Sequence, residues 1–170
     1  MPNHVTHKIT FAADQLAAVL ARIGDGSSFD FARLIPQPAQ MYHGCLSGTD
    51  EEDFTCNWLS WQRENWGAKW NAYAFTSGMS GELAFIKFDT AWSIPYPVLA
   101  AFSNVFPALP FEHKYFDEGH NFWGIETWGG TPVVFRTAKH FKRAEDELPL
   151  CIELKGYAPG ADDEEEDAPE

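Results

Sequence analysis

The chain is short of the residues that mark several protein classes. It has only three cysteines, Cys45, Cys56 and Cys151, in 170 residues. They are too few and too scattered for a disulfide framework, and none forms a C-x-x-C pair. His43 and Cys45 with Cys56 fit the spacing of no common zinc site, so the thiols read as free. Bases are scarce too: 12 Lys and Arg stand against 25 Asp and Glu, a net charge of −13. Binding a phosphate backbone needs clustered Lys and Arg, so nucleic acid is disfavoured as a partner. The one basic cluster, Lys139, His140, Lys142 and Arg143, reads as a solvated helix face. No apolar run approaches the length of a membrane span. Met1-Pro2-Asn3-His4 lacks the basic-then-apolar pattern of a signal peptide, so the expectation is a cytoplasmic protein without membrane attachment. Also missing are a Ser-His-Asp order, a phosphate loop and an H-E-x-x-H pair. No motif calls for a catalytic residue, a cofactor or a metal.

What is present is apolar and aromatic. Apolar residues make up 45% of the chain and aromatics 15%, enough for a core built on Phe and Trp. The length suits one domain, expected over residues 1–157. The charge is unevenly placed. From Gly160 to Glu170 the chain holds seven acids and no base, so the remainder carries −6. This end, residues 158–170, has no apolar side chain larger than alanine and is expected to be a disordered, solvating tail.

The periodicity gives an element order. His4 to Phe11 alternates, with Val5, His7, Ile9 and Phe11 on one side, as in a half-buried strand. Leu16, Val19, Leu20 and Ile23 then fall at helical spacing, and Gly24 stands where a helix C-terminal glycine belongs. Residues 25–68 read as an irregular insertion covering part of the sheet. In it Pro36 and Pro38 exclude a regular element. Asp50-Glu51-Glu52-Asp53 suits the start of a short helix carrying Trp58 and Trp61. Strands are expected over 71–76 and 82–90, joined by a Ser77–Gly81 turn. A helix over 97–106 follows Pro95 and Pro97. Strands over 111–117 and 121–127 flank the turn Glu118-Gly119-His120. Val133–Phe135 and Cys151–Leu154 are short strand candidates. Strand, helix, strand, strand, helix, strand is the split βαβ order of an α+β, ferredoxin-like sandwich. It has an antiparallel sheet with two helices on one face.

The densest motif is Asn65-Trp66-Gly67-Ala68-Lys69-Trp70-Asn71. Two tryptophans, a lysine and two asparagines fall within seven residues. Phe88-Asp89-Thr90-Ala91-Trp92 and the acidic turn Asp117-Glu118-Gly119 follow. With the opening Met1–Thr6, the Phe31–Pro38 segment and Phe122-Trp123-Gly124, these motifs resemble the YubB ferredoxin-like family over about residues 1–135. That family comprises small proteins of bacterial plasmids and phages with no established activity. The sequence departs from its pattern at Ala68, where a Thr is expected, and in the acidic tail. The resemblance implies the fold and a mobile-element setting, and it carries over no catalytic residue.

Two readings of the motif stay open. Trp66, Lys69, Trp70 and Asn71 can line an aromatic cleft with Asp89, Trp92, Asp117 and Glu118, taking a flat or anionic ligand. Or the tryptophans are core anchors, Lys69 covers a ring or pairs with Asp89, and Asp117 is a turn acid; tryptophans mostly pack, which favours this one. Three carboxylates and Lys69 converge only if the strands carrying Asp89 and Asp117 are neighbours. His113 and His120 are the candidates for proton transfer, whereas His4 and His7 fall on opposite faces of their strand. The expectation is a binding protein rather than an enzyme. Its first form is an accessory protein of a mobile element that contacts a basic host protein surface and inhibits a host defence system. Its second is a small-ligand or nucleotide-binding module.

Overall fold

The computed structural model describes residues 3–46, 56–129 and 137–158. The expected helix start at Asp50–Asp53, the strand candidate Val133–Phe135 and the acidic tail beyond residue 158 lie outside them. Among the described residues no helix is long and apolar enough to cross a membrane.

The domain is ferredoxin-like. Strand β1 (His4–Ala12) runs through a short 3-10 turn into helix α1 (Leu16–Ile23). The insertion carries a second 3-10 turn and helix α2 (Trp58–Asn65). Then come β2 (Tyr73–Ser80), β3 (Leu83–Ala91), α3 (Tyr96–Val105), β4 (Phe111–Asp117) and β5 (Trp123–Trp128). Strand β6 (Thr137–Phe141) and helix α4 (Ala144–Lys155) close the described chain. The sheet order is β2-β3-β1-β4-β5-β6, and all five pairings are antiparallel. The first four positions are the expected split βαβ sheet, and β5 and β6 extend it beyond β4.

The period-2 alternation of β1 decides what each face does. Its odd residues join Phe88 and Ile86 of β3 and Phe111 of β4 beneath α1 and α3, where Val19, Ile23, Leu99 and Phe102 complete the core. Phe rings meet edge-on there, as at Phe29–Phe88 (5.0 Å) and Phe102–Phe111 (5.1 Å).

The opposite face departs from expectation. Cys151–Leu154, expected as a strand, lies in α4, and this fourth helix packs on the outer face of the sheet. Leu150, Cys151 and Leu154 form an apolar stripe against Phe116 and Trp123. Pro149 sits inside α4 and interrupts the helical signal in the sequence. Glu145, Asp146 and Glu147 favour its N-terminus, and Gly156 at φ +89° ends it. Glu153 fixes the helix to the sheet, accepting from Lys8 at 2.8 Å and Lys114 at 2.7 Å. Burial pushes the Glu153 carboxyl up, but the two ammonium groups outweigh it and hold it below its ordinary value.

Two smaller corrections concern β2 and the basic cluster. Ser77 to Ser80, expected as a turn, continue β2 because Ser77 and Met79 pair with Ile86 and Ala84 of β3. The turn is displaced to Gly81 and Glu82, with Gly81 at φ +64°. The basic cluster is no helix face: Lys139 and His140 belong to β6, and Lys142 and Arg143 link it to α4.

Candidate functional site

The Trp66–Asn71 block is a clamp. Trp66 ends α2, its N–H donating to the Gln62 carbonyl at 2.8 Å. Its side chain is 2% exposed. The indole donates to the Ile35 carbonyl at 3.0 Å and stands edge-on to Phe31 and Trp61, each 5.7 Å away. Gly67 has φ +74°, and a Cβ there would sit 2.9 Å from Pro97 Cδ, so the backbone passes close to the start of α3. Asn71 accepts from the Phe31 N–H at 2.8 Å and donates to the Asp30 carboxylate at 2.9 Å. Lys69 Nζ lies 4.8 Å from the Trp70 ring centre. These contacts bind the insertion to the inner core.

The expected cleft of Trp66, Lys69 and Trp70 with Asp89 and Asp117 does not form. Strand β1 separates β3 from β4, so the two acids are not on neighbouring strands. Asp117 shares the odd, inner face of β4 with His113 and Tyr115 and is 1% exposed. It caps its own turn, accepting from the Asn121 backbone N–H (3.2 Å) and side-chain amide (2.7 Å). Asp89 faces outward and accepts from Thr6 Oγ1 at 2.7 Å.

On that outer face the structure assembles a different site. Helix α4 covers β1, β4 and β5 and leaves the β2–β3 half of the sheet open. Along its edge runs a groove of about 430 Å³ lined by His4, Tyr73, Lys87, Asp89, Glu118 and Lys155, with Thr6 and Thr76 between them. Glu118 accepts from the His4 N–H at 2.7 Å, and Lys155 donates to the His4 carbonyl at 2.9 Å. His4 Nδ1 lies 2.5 Å from the Tyr73 hydroxyl. A bulge between Tyr73 and Thr76, with Ala74 at φ +50°, brings Tyr73 there.

The electrostatics of the groove are mixed. Burial, with the negative charge of Asp89 and Glu118, pushes the Tyr73 hydroxyl up to about 12, so it stays protonated. Burial pulls the Lys155 ammonium down against the upward pull of Asp89, Glu118 and Asp117. Two acids brought in by separate strands therefore face one half-buried cation from α4. The side chains of Lys87 and Thr76 have no hydrogen-bond or ion-pair partner among the described residues. Trp92, at the same end of the sheet, is 52% exposed and holds φ +72°, a conformation strained for a bulky side chain. Of the expected site residues, the structure brings Asp89 and Glu118 into one groove, with Trp92 at the same end of the sheet. Trp66, Lys69, Trp70 and Asn71 go to the clamp and Asp117 to the core.

Sequence reasoning missed His4, Tyr73 and Lys155. The signal for the first two was the outward phase of β1 and β2; Lys155 was hidden with its helix. It also missed a buried polar chain on the inner face. His7 Nδ1 lies 3.0 Å from His113 Nε2, and His113 Nδ1 lies 3.4 Å from Glu126 Oε2. All three side chains are fully buried. Of the expected proton-transfer histidines, His113 belongs to this chain. His120 pairs with Glu147 at 2.8 Å and holds the start of α4 against the β4–β5 turn.

Residues 65–142 match the family model of a ferredoxin-like domain in Api92-like protein. The match is under half of the chain. It opens at the clamp and runs through β6, leaving out β1 and α1. No curated protein and no solved structure matches the sequence.

Proposed function

We propose that this protein acts by binding a partner protein, and that the groove along α4 is where a basic side chain of that partner docks. One observation carries the reading. Asp89 and Glu118 are held by donors of β1, Thr6 Oγ1 and the His4 N–H, inside an open groove. Fixed carboxylates with free accepting capacity suit a Lys or Arg side chain. The surplus of acid in the chain steers basic surfaces toward it, and exposed Trp92 offers an aromatic anchor at the same end. The resemblance of its motifs to the YubB family supports reading it as an accessory protein of a phage or plasmid. The partner is then a bacterial host protein with a basic surface, and inhibition of a host defence system is its consequence.

The test is site-specific photocrosslinking in bacterial lysate. A crosslinker at Thr76, in the groove, should capture a defined partner at low salt, and a crosslinker at exposed Ala18 on α1 should not. The capture should fall when Asp89→Asn and Glu118→Gln are combined. Equal capture from both positions, unchanged by the double substitution, would remove the groove from the reading.

A small polar ligand is the second reading. It is favoured by the side chains of Lys87 and Thr76, which offer donors without partners among the described residues in the groove that holds the two acids. Calorimetry against nucleotides and divalent cations tests it, with a saturable heat expected that disappears in Lys87→Ala.

A further inference from the structure

The buried polar chain beneath α3 has a direction that its end groups fix. The Ser93 carbonyl can only accept, and Thr90 Oγ1 lies 2.6 Å from it, so the one Thr90 proton points there. His7 Nε2, 2.8 Å from the same oxygen, must then donate to it. Burial, with the charge of His113 and Lys155, holds His7 well below its ordinary value, so His7 is neutral and has only this one proton. Its Nδ1 is bare and accepts, and His113 Nε2 at 3.0 Å must carry a proton. On the other side of that ring, Nδ1 faces Glu126 Oε2 at 3.4 Å. Tyr96 donates to Glu126 Oε1 at 2.9 Å and Trp128 Nε1–H to Oε2 at 3.1 Å, and both bonds favour the ionised carboxylate. A bare nitrogen against that carboxylate would repel it, so Nδ1 is protonated as well. With Glu126 ionised, His113 is an imidazolium.

We infer that the core stores one proton on a His113–Glu126 ion pair, and that losing this proton reverses the hydrogen-bond chain and removes one of the bonds that hold the loop carrying Trp92. In the deprotonated state the single His113 proton stays on Nδ1, facing Glu126. His113 Nε2 then accepts from His7 Nδ1–H, so His7 has changed tautomer. His7 Nε2 is now bare and accepts the Thr90 proton, and the Ser93 carbonyl loses its donor. One proton leaves for each molecule that switches. The loop at stake is short and strained. Trp92 holds φ +72° and donates its N–H to the Asn3 carbonyl at 2.9 Å, and Ser93 Oγ donates to the Gly67 carbonyl at 2.6 Å. The Thr90–Ser93 bond is the one of these three that joins the loop to the histidine chain.

The surroundings support a proton-coupled pair. Tyr96 from α3 and Tyr115 from β4 face the chain, the latter with its ring 5.2 Å from His113. Lys155 acts on His7 through its charge. Phe88 stacks on His7 at 5.0 Å and keeps water from it. Two arrangements of one hydrogen-bond chain, differing by a proton, are what a switch requires. That the protein docks its partner beside Trp92 rests on the proposed function; the switch itself does not.

The test therefore uses the free wild-type protein. Long-range ¹H–¹⁵N spectra of its histidines are recorded across the pH range, with 5-fluorotryptophan reporting on Trp92, assigned through Trp92→Phe. In mildly acidic solution His7 should be the Nε2–H tautomer and His113 doubly protonated. As pH rises, His113 should lose one proton and His7 should change tautomer. The Trp92 fluorine signal should move with the same midpoint. In Thr90→Val the histidines still titrate, but the Trp92 signal no longer follows. His7 found as the Nδ1–H tautomer at the acidic end, a neutral His113 there, or a titration that leaves Trp92 unmoved would each overturn the inference. None of these readouts depends on a partner, so they fail or succeed apart from the groove.

Discussion

Replacing Trp66 separates an anchor from a cleft residue. The indole is 2% exposed, touches Phe31 and Trp61 edge-on and donates to the Ile35 carbonyl. Truncating a buried Trp to Ala costs about 3–5 kcal/mol through lost burial and the cavity left behind. Leaving the Ile35 carbonyl without its donor adds roughly 1 kcal/mol or more. Domains of this size are stable by only about 5–15 kcal/mol, so Trp66→Ala sits at the edge of unfolding. Trp66→Phe is the quantitative probe. It keeps most of the ring and the edge-on contacts but loses the N–H, and should cost about 1–2 kcal/mol. Guanidinium unfolding followed by far-UV circular dichroism reads both. The midpoint should fall from wild type to Phe to Ala at constant m, since only stability changes. Photocrosslinking from Thr76 should be unaltered in Trp66→Phe, because the clamp is not in the groove. A Phe variant as stable as wild type that has lost its crosslink would refute the reasoning and make Trp66 a contact residue.

Other substitutions and conditions test neighbouring parts of the argument. Gly67→Ala should lower the melting temperature, because its φ is +74° and the new Cβ would meet Pro97 at 2.9 Å and the Ile94 carbonyl at 3.3 Å. The strain is about 1–3 kcal/mol. Gly81→Ala, at φ +64° with nothing within 4 Å, should cost less, and equal losses would remove the close approach as the cause. His7 is held below its ordinary value in the folded state while the unfolded side chain titrates near 6.5. Its contribution is therefore present above about pH 6.5 and is lost as the pH falls, by at most about 1.4 kcal/mol per pH unit. Urea midpoints measured from neutral to mildly acid pH should show this slope, and His7→Leu should flatten it. Trp92→Gly should leave stability unchanged or raise it by relieving φ +72°, while groove crosslinking falls. A loss of more than about 1 kcal/mol would mean that the ring is a packing residue.

The fold was legible where a single period ran unbroken over one face. His4–Phe11 alternates strictly, and Leu16, Val19, Leu20 and Ile23 share one side of a helix, so β1 and α1 fell where expected. Helix α4 was not legible because its apolar stripe is only Leu150, Cys151 and Leu154 beside Pro149, with acids around it. The run Cys151–Leu154 reads equally well as a short strand. That one misreading propagated to the site. Without α4 the outer face has no edge to form a groove, and Lys155 has no position. Asp89 and Asp117 then seem to belong together because both end strands in the sequence. Pairing order and parity separate them. β1 lies between β3 and β4, and Asp117 falls on the odd, inner face while Glu118, one residue further, reaches the groove. A single residue of phase divides the acid that caps a turn from the acid that offers itself to a partner. His113 stood out as a proton-transfer candidate, but its pairing with His7 was hidden for the related reason that both occupy apolar positions. His7 and His113 follow the core alternation of Val5 and Ile9 and of Phe111 and Tyr115. Only the distance from His7 to His113, set by the β1–β4 register, turns two core positions into one titrating chain.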